Sequence, residues 1–552
     1  AKQWRRDDIA VVLVGRPYNS TDPGANLNIH RKLADLGVQS IPLDMLPGAD
    51  YMETDEDLKN MYWAYGHRIL KAARIIREER NLYPVYITNF GCGPDSFISH
   101  FFKAALQGKP FLQLEIDEHS ADGGAVTRLE AFLDSVRNAR GRQFSGSPTV
   151  IAGSLLGRRN RKVYIPNMCD HAIPFAGAFR ACGVDAAAMD EPDEESLNYG
   201  RKHTSGKECY PCALTTGDMV KMVKRADFDR DHTAFFMPSG SGPCRFGQYN
   251  KFHRMVLDEL GFPDVPIYAP NQDDRLYQDL GMGDTFQRLG WRAIVATDLC
   301  MKMLHEVRPH EKTKGQADRA YWDTIAAVTA AIERGNGSLV DVLAQGVRAF
   351  RDIEQDEPRK PIVTVVGEVY VRHNRFSNSN LIRKVEEFGG QVWLASFGEW
   401  ISYVNYLRGH RMSGSMPTLS ELVRLFIVQH VQHKEERTLE RIFERHLGCG
   451  REPDVADIIN KARPYVPFSF EGEAILTVGK AIDGVERGAC GIINAIPFTC
   501  MPGTIAGALL AMVQKKYDIP VFHVAYDGQG ITNITTRLEA FMHQVKERAK
   551  RG

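Results

Sequence analysis

The sequence has no excess of charge of either sign, because 69 lysine and arginine residues are balanced by 69 aspartate and glutamate residues among 552. Proteins that bind nucleic acids or membrane surfaces usually carry a basic excess, so neither class of partner is expected. The hydrophobic fraction of 43% excludes a disordered scaffold. At about 100–200 residues per domain, the length predicts three or four domains.

Cysteine is scarce, and long apolar runs are missing. Ten cysteines at irregular spacing are too few for a secreted fold held by disulfides. No run reaches the roughly 18 apolar residues that a membrane helix needs, and the segment Ala1–Asp8 has no apolar core of the signal-peptide kind. These absences predict a cytoplasmic protein with reduced thiols.

Two nucleotide-binding motifs are also missing. The sequence has no G-x-x-x-x-G-K-[ST] motif and no G-x-G-x-x-G motif after a β-strand pattern. We therefore expect no nucleotide to bind this chain.

Three segments open with the same order of patterns, namely a β-branched run, a polar turn, a helical stretch that ends at glycine, and a second extended run. The opening runs are Ile9–Gly15, Lys162–Pro166 and Pro361–Gly367. This order is typical of βαβ units. It predicts an α/β fold with three Rossmann-like parallel-sheet domains, at residues 1–150, 151–355 and 356–552, and helical insertions at Asp323–Asp352 and Glu399–Arg463.

An internal repeat links the first and third predicted domains. The hexapeptide TRLEAF occurs at Thr127–Phe132 and again at Thr536–Phe541. Upstream of both copies lie an apolar strand pattern and, before it, a cysteine that follows a strand, Cys92 or Cys500. The matching order indicates duplicated half-domains.

Four cysteines follow predicted strands, and in open parallel sheets ligands bind beyond the carboxyl ends of strands. These are Cys92, Cys169, Cys244 and Cys500. Two more, Cys209 and Cys212, precede the predicted helix Leu214–Lys224, where the helix dipole is expected to lower a thiol pKa and favour metal ligation. The other four cysteines are interpreted as buried or unreactive thiols.

Glycines flank two of these cysteines. Gly91 and Gly93 surround Cys92, and Gly240 and Gly242 precede Cys244. Glycine lets the backbone approach a bulky inorganic ligand and direct its amides at sulfur atoms. We expect these four residues to contact a bound cofactor.

Several alternatives remain open for the six thiols. A structural zinc site is one, although the sequence has no second C-x-x-C. A thioredoxin-type dithiol at Cys209 and Cys212 is another, but it leaves the strand-end cysteines unexplained. Iron–sulfur ligation explains thiolates that converge from several domains.

Four polar residues are candidates for a substrate pocket in a cleft between domains: His119, Asp95, Arg245 and Gln248. For His119 a surface turn is an equal alternative. For Asp95 the alternative is a cap on the helix that follows it.

Six motifs carry a family resemblance: TNFGCGPDSF, LQLEIDEHSADGG, YIPNMCDHA, SGKECYPCALTTGD, SGPCRFGQYNKF and PFTCMPGT. From about Val11 to Glu547, the chain resembles the 2-hydroxyacyl-CoA dehydratase activase-related proteins, also called CoA-substrate-specific enzyme activases. This region is similar in turn to subunits of 2-hydroxyacyl-CoA dehydratases and benzoyl-CoA reductases, and to double-cubane cluster proteins. The resemblance implies Rossmann-like domains with cysteine-bound iron–sulfur clusters between them.

The family motifs, matched residue by residue, imply cluster ligands at Cys92, Cys169, Cys209, Cys212, Cys244 and Cys500. The resemblance favours an 8Fe-9S double cubane, with 4Fe-4S as the alternative. It implies a protein that reduces a small or CoA-linked substrate at very low potential. A homodimer is expected on separate grounds, because neutral domains of this kind commonly pair. Electrons would come from an ATP-hydrolysing activator with its own 4Fe-4S cluster, either a separate chain or fused upstream. A cluster carrier or assembly scaffold, and a 2-hydroxyacyl-CoA dehydratase subunit, remain alternatives.

Overall fold

The computed structural model describes residues 8–50, 61–139, 142, 144, 160–271, 281–335, 338–356, 359–413, 419–529 and 533–551. The chain divides into two compact units, Ala1–Val150 and Ile151–Gly552.

The first unit contains one four-stranded parallel sheet in the order β2-β1-β3-β4. Its strands are β1 (Ala10–Val14), β2 (Gln39–Pro42), β3 (Leu82–Asn89) and β4 (Leu112–Ile116). Its helices are α1 (Pro17–Thr21), α2 (Ile29–Asp35), α3 (Ala64–Glu78), α4 (Asp95–Leu106) and α5 (Asp122–Ala139), with a short 3-10 helix at Leu43–Met45.

Both faces of this sheet are covered by helices. Alternate residues of β1 enter different apolar cores: Ala10, Val12 and Val14 enter one, and Val11 and Leu13 enter the other. Successive strand residues point to opposite faces, so a continuous β-branched run fits a sheet that is buried on both sides.

The second unit contains two more four-stranded parallel sheets, in the orders β6-β5-β7-β8 and β10-β9-β11-β12. The first consists of β5 (Lys162–Ile165), β6 (Ala186–Ala188), β7 (Thr233–Phe236) and β8 (Ile267–Tyr268). The second consists of β9 (Ile362–Gly367), β10 (Gln391–Leu394), β11 (Gly491–Pro497) and β12 (Val521–Tyr526).

The helices of the second unit cover these two sheets and form a separate helical layer. They are α6 (Ala172–Ala181), α7 (Glu194–His203), α8 (Tyr210–Val223), α9 (Tyr249–Glu259), α10 (Gly283–Val307), α11 (Gln316–Arg334), α12 (Leu339–Arg351), α13 (Val369–His373), α14 (Leu381–Glu387), α15 (Gly398–Ser413), α16 (Leu419–Phe443), α17 (Val455–Ala462), α18 (Glu473–Glu486), α19 (Met501–Tyr517) and α20 (Ile534–Ala549). Short 3-10 helices lie at Arg245–Gln248, Arg308–His310 and Phe468–Phe470.

All three sheets share one topology. In each, the chain moves outward from the first strand to the second and then returns to place the third strand on the other side of the first. The connections therefore diverge between the carboxyl ends of the first and third strands. This switch point is where ligands bind in open parallel sheets.

The predicted α/β fold with parallel sheets is confirmed, and the strand predictions agree with β1, β5 and β9 to within one residue at either end. The predicted helical stretch Asp323–Asp352 is two helices, because the chain leaves helical conformation at Gly335 with a φ of +66°. The predicted boundary at residue 355 stays a prediction, since both later sheets belong to one compact unit. Among the described residues, no helix is both long and apolar enough to cross a membrane.

The structure extends the repeat that the sequence suggested. Both TRLEAF copies lie in the helix after the last strand of a sheet, α5 or α20, and both strand-end cysteines follow a third strand. The residues that precede these cysteines, Gly91 and Thr499, both adopt left-handed backbone, with φ of +71° and +61°. The two half-domains therefore match in backbone conformation as well as in sequence.

Candidate functional site

Four buried or half-buried thiols of the second unit lie at the beginnings of helices. Cys209 is the N-cap of α8, Cys244 is the N-cap of the 3-10 helix Arg245–Gln248, and Cys500 is the N-cap of α19. Cys212 lies in the first turn of α8, which begins earlier than predicted because Pro211 is tolerated there. We call these four cysteines the four-thiol site. The unpaired amides of helix N-termini favour anionic ligands.

Arg245 connects the segments that carry these thiols. Its guanidinium donates to the carbonyl oxygen of Lys207 at 3.1 Å, and to the carbonyl and hydroxyl oxygens of Thr499 at 3.0 and 3.2 Å. The same buried guanidinium interacts electrostatically with Cys209, Cys500 and Cys244. Arg245 therefore places one positive charge among at least three thiols.

A second polar contact lies beside Arg245. The Cys209 sulfur and the Tyr249 hydroxyl are 2.5 Å apart, and both groups are buried. Tyr249 also interacts electrostatically with Cys212 and Cys244. Its hydroxyl is thus a polar neighbour of three members of the four-thiol site.

Burial controls the protonation of these thiols. It raises the pKa of Cys244 to about 12 and also raises the pKa values of Cys209, Cys212 and Cys500. The expectation of a lowered thiol pKa at the start of α8 is therefore wrong, because desolvation outweighs the helix N-terminus and the nearby Arg245. In the absence of a bound cation the thiols are protonated at neutral pH, so a metal must displace protons to bind.

Two glutamates adjoin the four-thiol site, of which Glu473 is buried and Glu368 is half-buried. Glu368 is the N-cap of α13, and its carboxylate accepts from the backbone N–H groups of Tyr370 and Val371 at 3.1 and 2.8 Å. Glu473 accepts from the N–H group of Val369 at 2.8 Å. Both carboxyl groups interact electrostatically with Cys244 and Cys500.

The same two carboxyl groups oppose each other's ionisation. Burial and the charge of Glu368 raise the pKa of Glu473 to about 8, and burial raises the pKa of Glu368 as well. Sequence reasoning missed both residues. The available signal was the position of Glu368 directly after β9, at a switch point of the kind that carries the cysteines.

Cys169 has different neighbours. It follows β5 and lies beside His171, whose Nε2 is 3.0 Å from Oδ1 of Asp298. Burial alone would lower the pKa of His171, but the charges of Cys169 and Asp298 raise it to about 10. Tyr370 interacts electrostatically with both Cys169 and Glu368, so Cys169 borders the same region as the two glutamates.

Cys92 lies at the switch point of the first unit, after β3. Asp95 accepts from the Thr88 hydroxyl at 2.6 Å and forms a 3.5 Å ion pair with Arg16, which follows β1. Burial and the Asp95 carboxylate raise the pKa of Cys92 to about 11. Asp95 does not cap α4, because the N-cap is Pro94 and no side chain caps this helix. That Cys92 shares a site with the other five cysteines stays a prediction.

The remaining candidates lie in three kinds of environment. His119 is in an exposed turn in which the Asp117 carboxylate accepts its backbone N–H, so the surface-turn alternative describes it. Gln248 is fully buried near Cys244, and its side-chain oxygen accepts from Lys251 at 3.0 Å.

Gly91 and Gly242 adopt left-handed backbone, whereas Gly93 and Gly240 do not. The contacts predicted for these glycines with a cofactor stay a prediction.

All ten cysteines are free. In the described part of the chain, no three His, Cys, Asp or Glu side chains converge on one metal-ion position. That these thiols hold an iron–sulfur cluster rather than a zinc ion stays a prediction.

One family model matches the chain, the CoA enzyme activase uncharacterised domain, over residues 1–46. The matched segment contains β1, α1, α2 and β2 of the first unit. This relates the start of the chain to proteins connected with CoA enzyme activation. No curated protein matches the chain.

Proposed function

We propose that the protein is an iron–sulfur reductase component that accepts electrons from an ATP-hydrolysing activator and passes them to a small or CoA-linked substrate. The observation that carries the proposal is the four-thiol site, in which thiols from three separate helix N-termini surround one buried arginine. Cys209, Cys212, Cys244 and Cys500 would hold the cluster, with Cys169 and Cys92 as further ligands.

Arg245 and the helix N-termini would stabilise a negatively charged cofactor. Thiolate-bound clusters are anionic, and burying such a group requires compensating charge and hydrogen-bond donors. Arg245 supplies the charge, and the first turns of α8 and α19 supply amides. A bound cluster would supply one-electron transfer at low potential, which depends on these hydrogen bonds and on burial.

Glu368 and Glu473 would hold a proton next to the four-thiol site. Since each opposes the ionisation of the other, the pair keeps at least one proton near neutral pH. Reductions of organic substrates consume protons together with electrons. A protonated carboxyl group within electrostatic range of the thiols is suited to supply one.

The activase-related family model at residues 1–46 supports a partnership with an ATP-dependent activator. The energy of ATP hydrolysis would come from that partner. We propose the activator as a separate chain or as a domain fused upstream, and a homodimeric form of this protein.

Anaerobic purification followed by iron and acid-labile sulfide analysis tests the cluster. We expect about eight irons per chain for a double cubane, or about four for one cubane, and an electron paramagnetic resonance signal after reduction. Cys209→Ser and Cys500→Ser should each lose most of the iron. Cys490→Ser is the matched control, because Cys490 lies outside the site at the start of β11 and should keep full iron content.

Three outcomes would contradict the proposal: stoichiometric zinc, unchanged iron in both variants, or a cluster that no ATP-dependent activator can reduce. Quantitative transfer of the cluster to an acceptor apoprotein would instead identify a carrier or scaffold.

A further inference from the structure

A cavity of about 230 Å³ lies in the helical layer of the second unit, lined by residues of α10, α15, α16 and α17. The apolar part of its lining includes Trp291, Val295, Leu299 and Ile458. Most of the remaining lining residues are polar. An engineered cavity of about 150 Å³ is large enough for benzene, so this one has room for a ring with a short side chain.

Three polar side chains that line the cavity are more than nine-tenths buried and have an atom without a hydrogen-bond partner. These atoms are Oγ of Ser396, Oε2 of Glu399 and Nε2 of Gln432. The other oxygen of Glu399 accepts from Arg372 at 2.8 Å, and the other terminal atom of Gln432 accepts from Asn405 at 2.7 Å. A buried polar atom without a partner costs free energy, so these atoms call for a ligand with complementary groups.

The cavity also has one carboxylate without a counter-ion. Glu436 on α16 makes no ion pair or hydrogen bond with any residue that the structure describes. The cations around it already have partners: Lys302 and Lys480 bind Glu452, and Arg437 binds Glu440 and Asp454. The lining therefore has one uncompensated acidic group.

Desolvation and the neighbouring carboxylates disfavour the ionised form of Glu436. Burial and the carboxylates of Glu440 and Glu452 raise the pKa of Glu436 to about 8, although Lys302 and Arg437 act in the opposite direction. A cation that entered the cavity would favour the ionised form and relieve this cost.

We propose that this cavity binds a small organic cation, a primary amine with an aromatic or aliphatic body and a hydroxyl or carbonyl oxygen. The ammonium group donates to Glu436 and to the free oxygen of Glu399. The ligand oxygen accepts from Gln432, and the body packs on Trp291, whose indole face also attracts cations. This site lies outside the four-thiol site and does not depend on the proposed reductase function.

Isothermal titration with three probes of one shape tests the proposal. The probes are 2-amino-1-phenylethanol, the neutral 1-phenylethane-1,2-diol and the anionic mandelate. We expect the amine to bind at one site per chain, and both other probes to bind at least about tenfold more weakly, because the coupling energy measured for close charge pairs in interfaces exceeds the free energy of a tenfold change. Equal binding of all three probes, or no saturable binding of the amine, would overturn the proposal.

Two variants and one control locate the site. Glu436→Gln should weaken amine binding at least about tenfold and leave diol binding unchanged. Glu444→Gln is the control, because Glu444 is exposed and lies outside the cavity. This variant should bind the amine as the native protein does. Ala456→Phe fills the cavity and should abolish binding of the amine, with folding checked by circular dichroism. Unchanged amine binding by either Glu436→Gln or Ala456→Phe would overturn the assignment.

Discussion

Arg245 and Thr499 are joined by two hydrogen bonds although 254 positions separate them in the chain. Thr499 adopts a φ of +61°, an unusual backbone conformation for a β-branched residue, directly before Cys500. Arg245 thus binds the carbonyl and hydroxyl oxygens of Thr499, next to the proposed ligand Cys500. Arg245 itself directly follows a second proposed ligand, Cys244. One side chain fixes the relative position of two thiols that come from different sheets.

Arg245→Gln should destabilise the protein because it removes a buried charge and three hydrogen bonds. We expect the free energy of unfolding to fall by about 2–4 kcal/mol, measured by urea denaturation. Arg230→Gln is the control. Arg230 pairs with Asp264 in an exposed position, so its loss should cost less than about 1 kcal/mol. Equal effects of the two variants would show that the Arg245 contacts do not organise the site.

Gly91→Ala should destabilise the first unit through the backbone alone. No atom lies within 4 Å of the added Cβ, but the φ of +71° is unfavourable for alanine. The expected cost is about 1–2 kcal/mol in the free energy of unfolding. Gly93→Ala, two positions away with no left-handed φ, should cost clearly less. If both substitutions have the same effect, the left-handed residue before Cys92 is not required.

Stability should decrease as pH rises above the ordinary glutamate range. In the unfolded chain Glu473 ionises near 4.5, whereas in the folded protein its pKa is about 8. Between these values the native state binds the extra proton, so the free energy of unfolding falls with increasing pH. Glu473→Gln cannot ionise and should reduce this slope.

Thermal unfolding of the native protein, Glu473→Gln and a control variant measures this effect, from pH 5 to pH 8 and at matched metal content. Glu539→Gln is the control, because Glu539 is exposed on α20. The control should retain the native slope. If Glu473→Gln keeps the slope of the native protein, the pair of Glu368 and Glu473 does not control the pH dependence of stability.

Arg372→Gln should strongly destabilise the part of the protein around the sheet that contains β9. Arg372 is 1% exposed and donates to the carbonyl oxygens of Gly367 and Ser396 and to the carboxylate of Glu399. Its removal leaves Glu399 buried without a counter-ion, at an expected cost of about 3–5 kcal/mol. Arg351→Gln, whose pair with Asp352 is exposed, should cost less than about 1 kcal/mol. Denaturant midpoints of the two variants decide between these values.

Local sequence patterns were sufficient for the strands and for the positions of the cysteines along the chain. The β-branched run at β1, the glycine after α2 and the run at β2 are each encoded within a few residues, because strand and helix signals depend on side-chain periodicity and on glycine geometry. The same reasoning placed Cys92, Cys244 and Cys500 after strands, where the structure has them.

The electrostatics of the site could not be predicted in this way. The expectation of a lowered thiol pKa at α8 considered the helix N-terminus alone. Burial by other elements raises the pKa values of Cys209 and Cys212 instead. Glu368 and Glu473 are 105 positions apart, and only the packing of α18 against β9 and α13 makes them neighbours. Asp95 binds Arg16 and Thr88 instead of capping a helix, for the same reason.

The sequence by itself determined the fold class, the common order of the three sheets' opening units, and which cysteines follow strands. Only the tertiary structure decided that Arg245 lies among the thiols, that two glutamates adjoin them, and that four helices line a polar cavity with an uncompensated Glu436. The physical reason is that secondary structure follows from local periodicity, while burial, charge compensation and cavities arise from contacts between residues far apart in the chain.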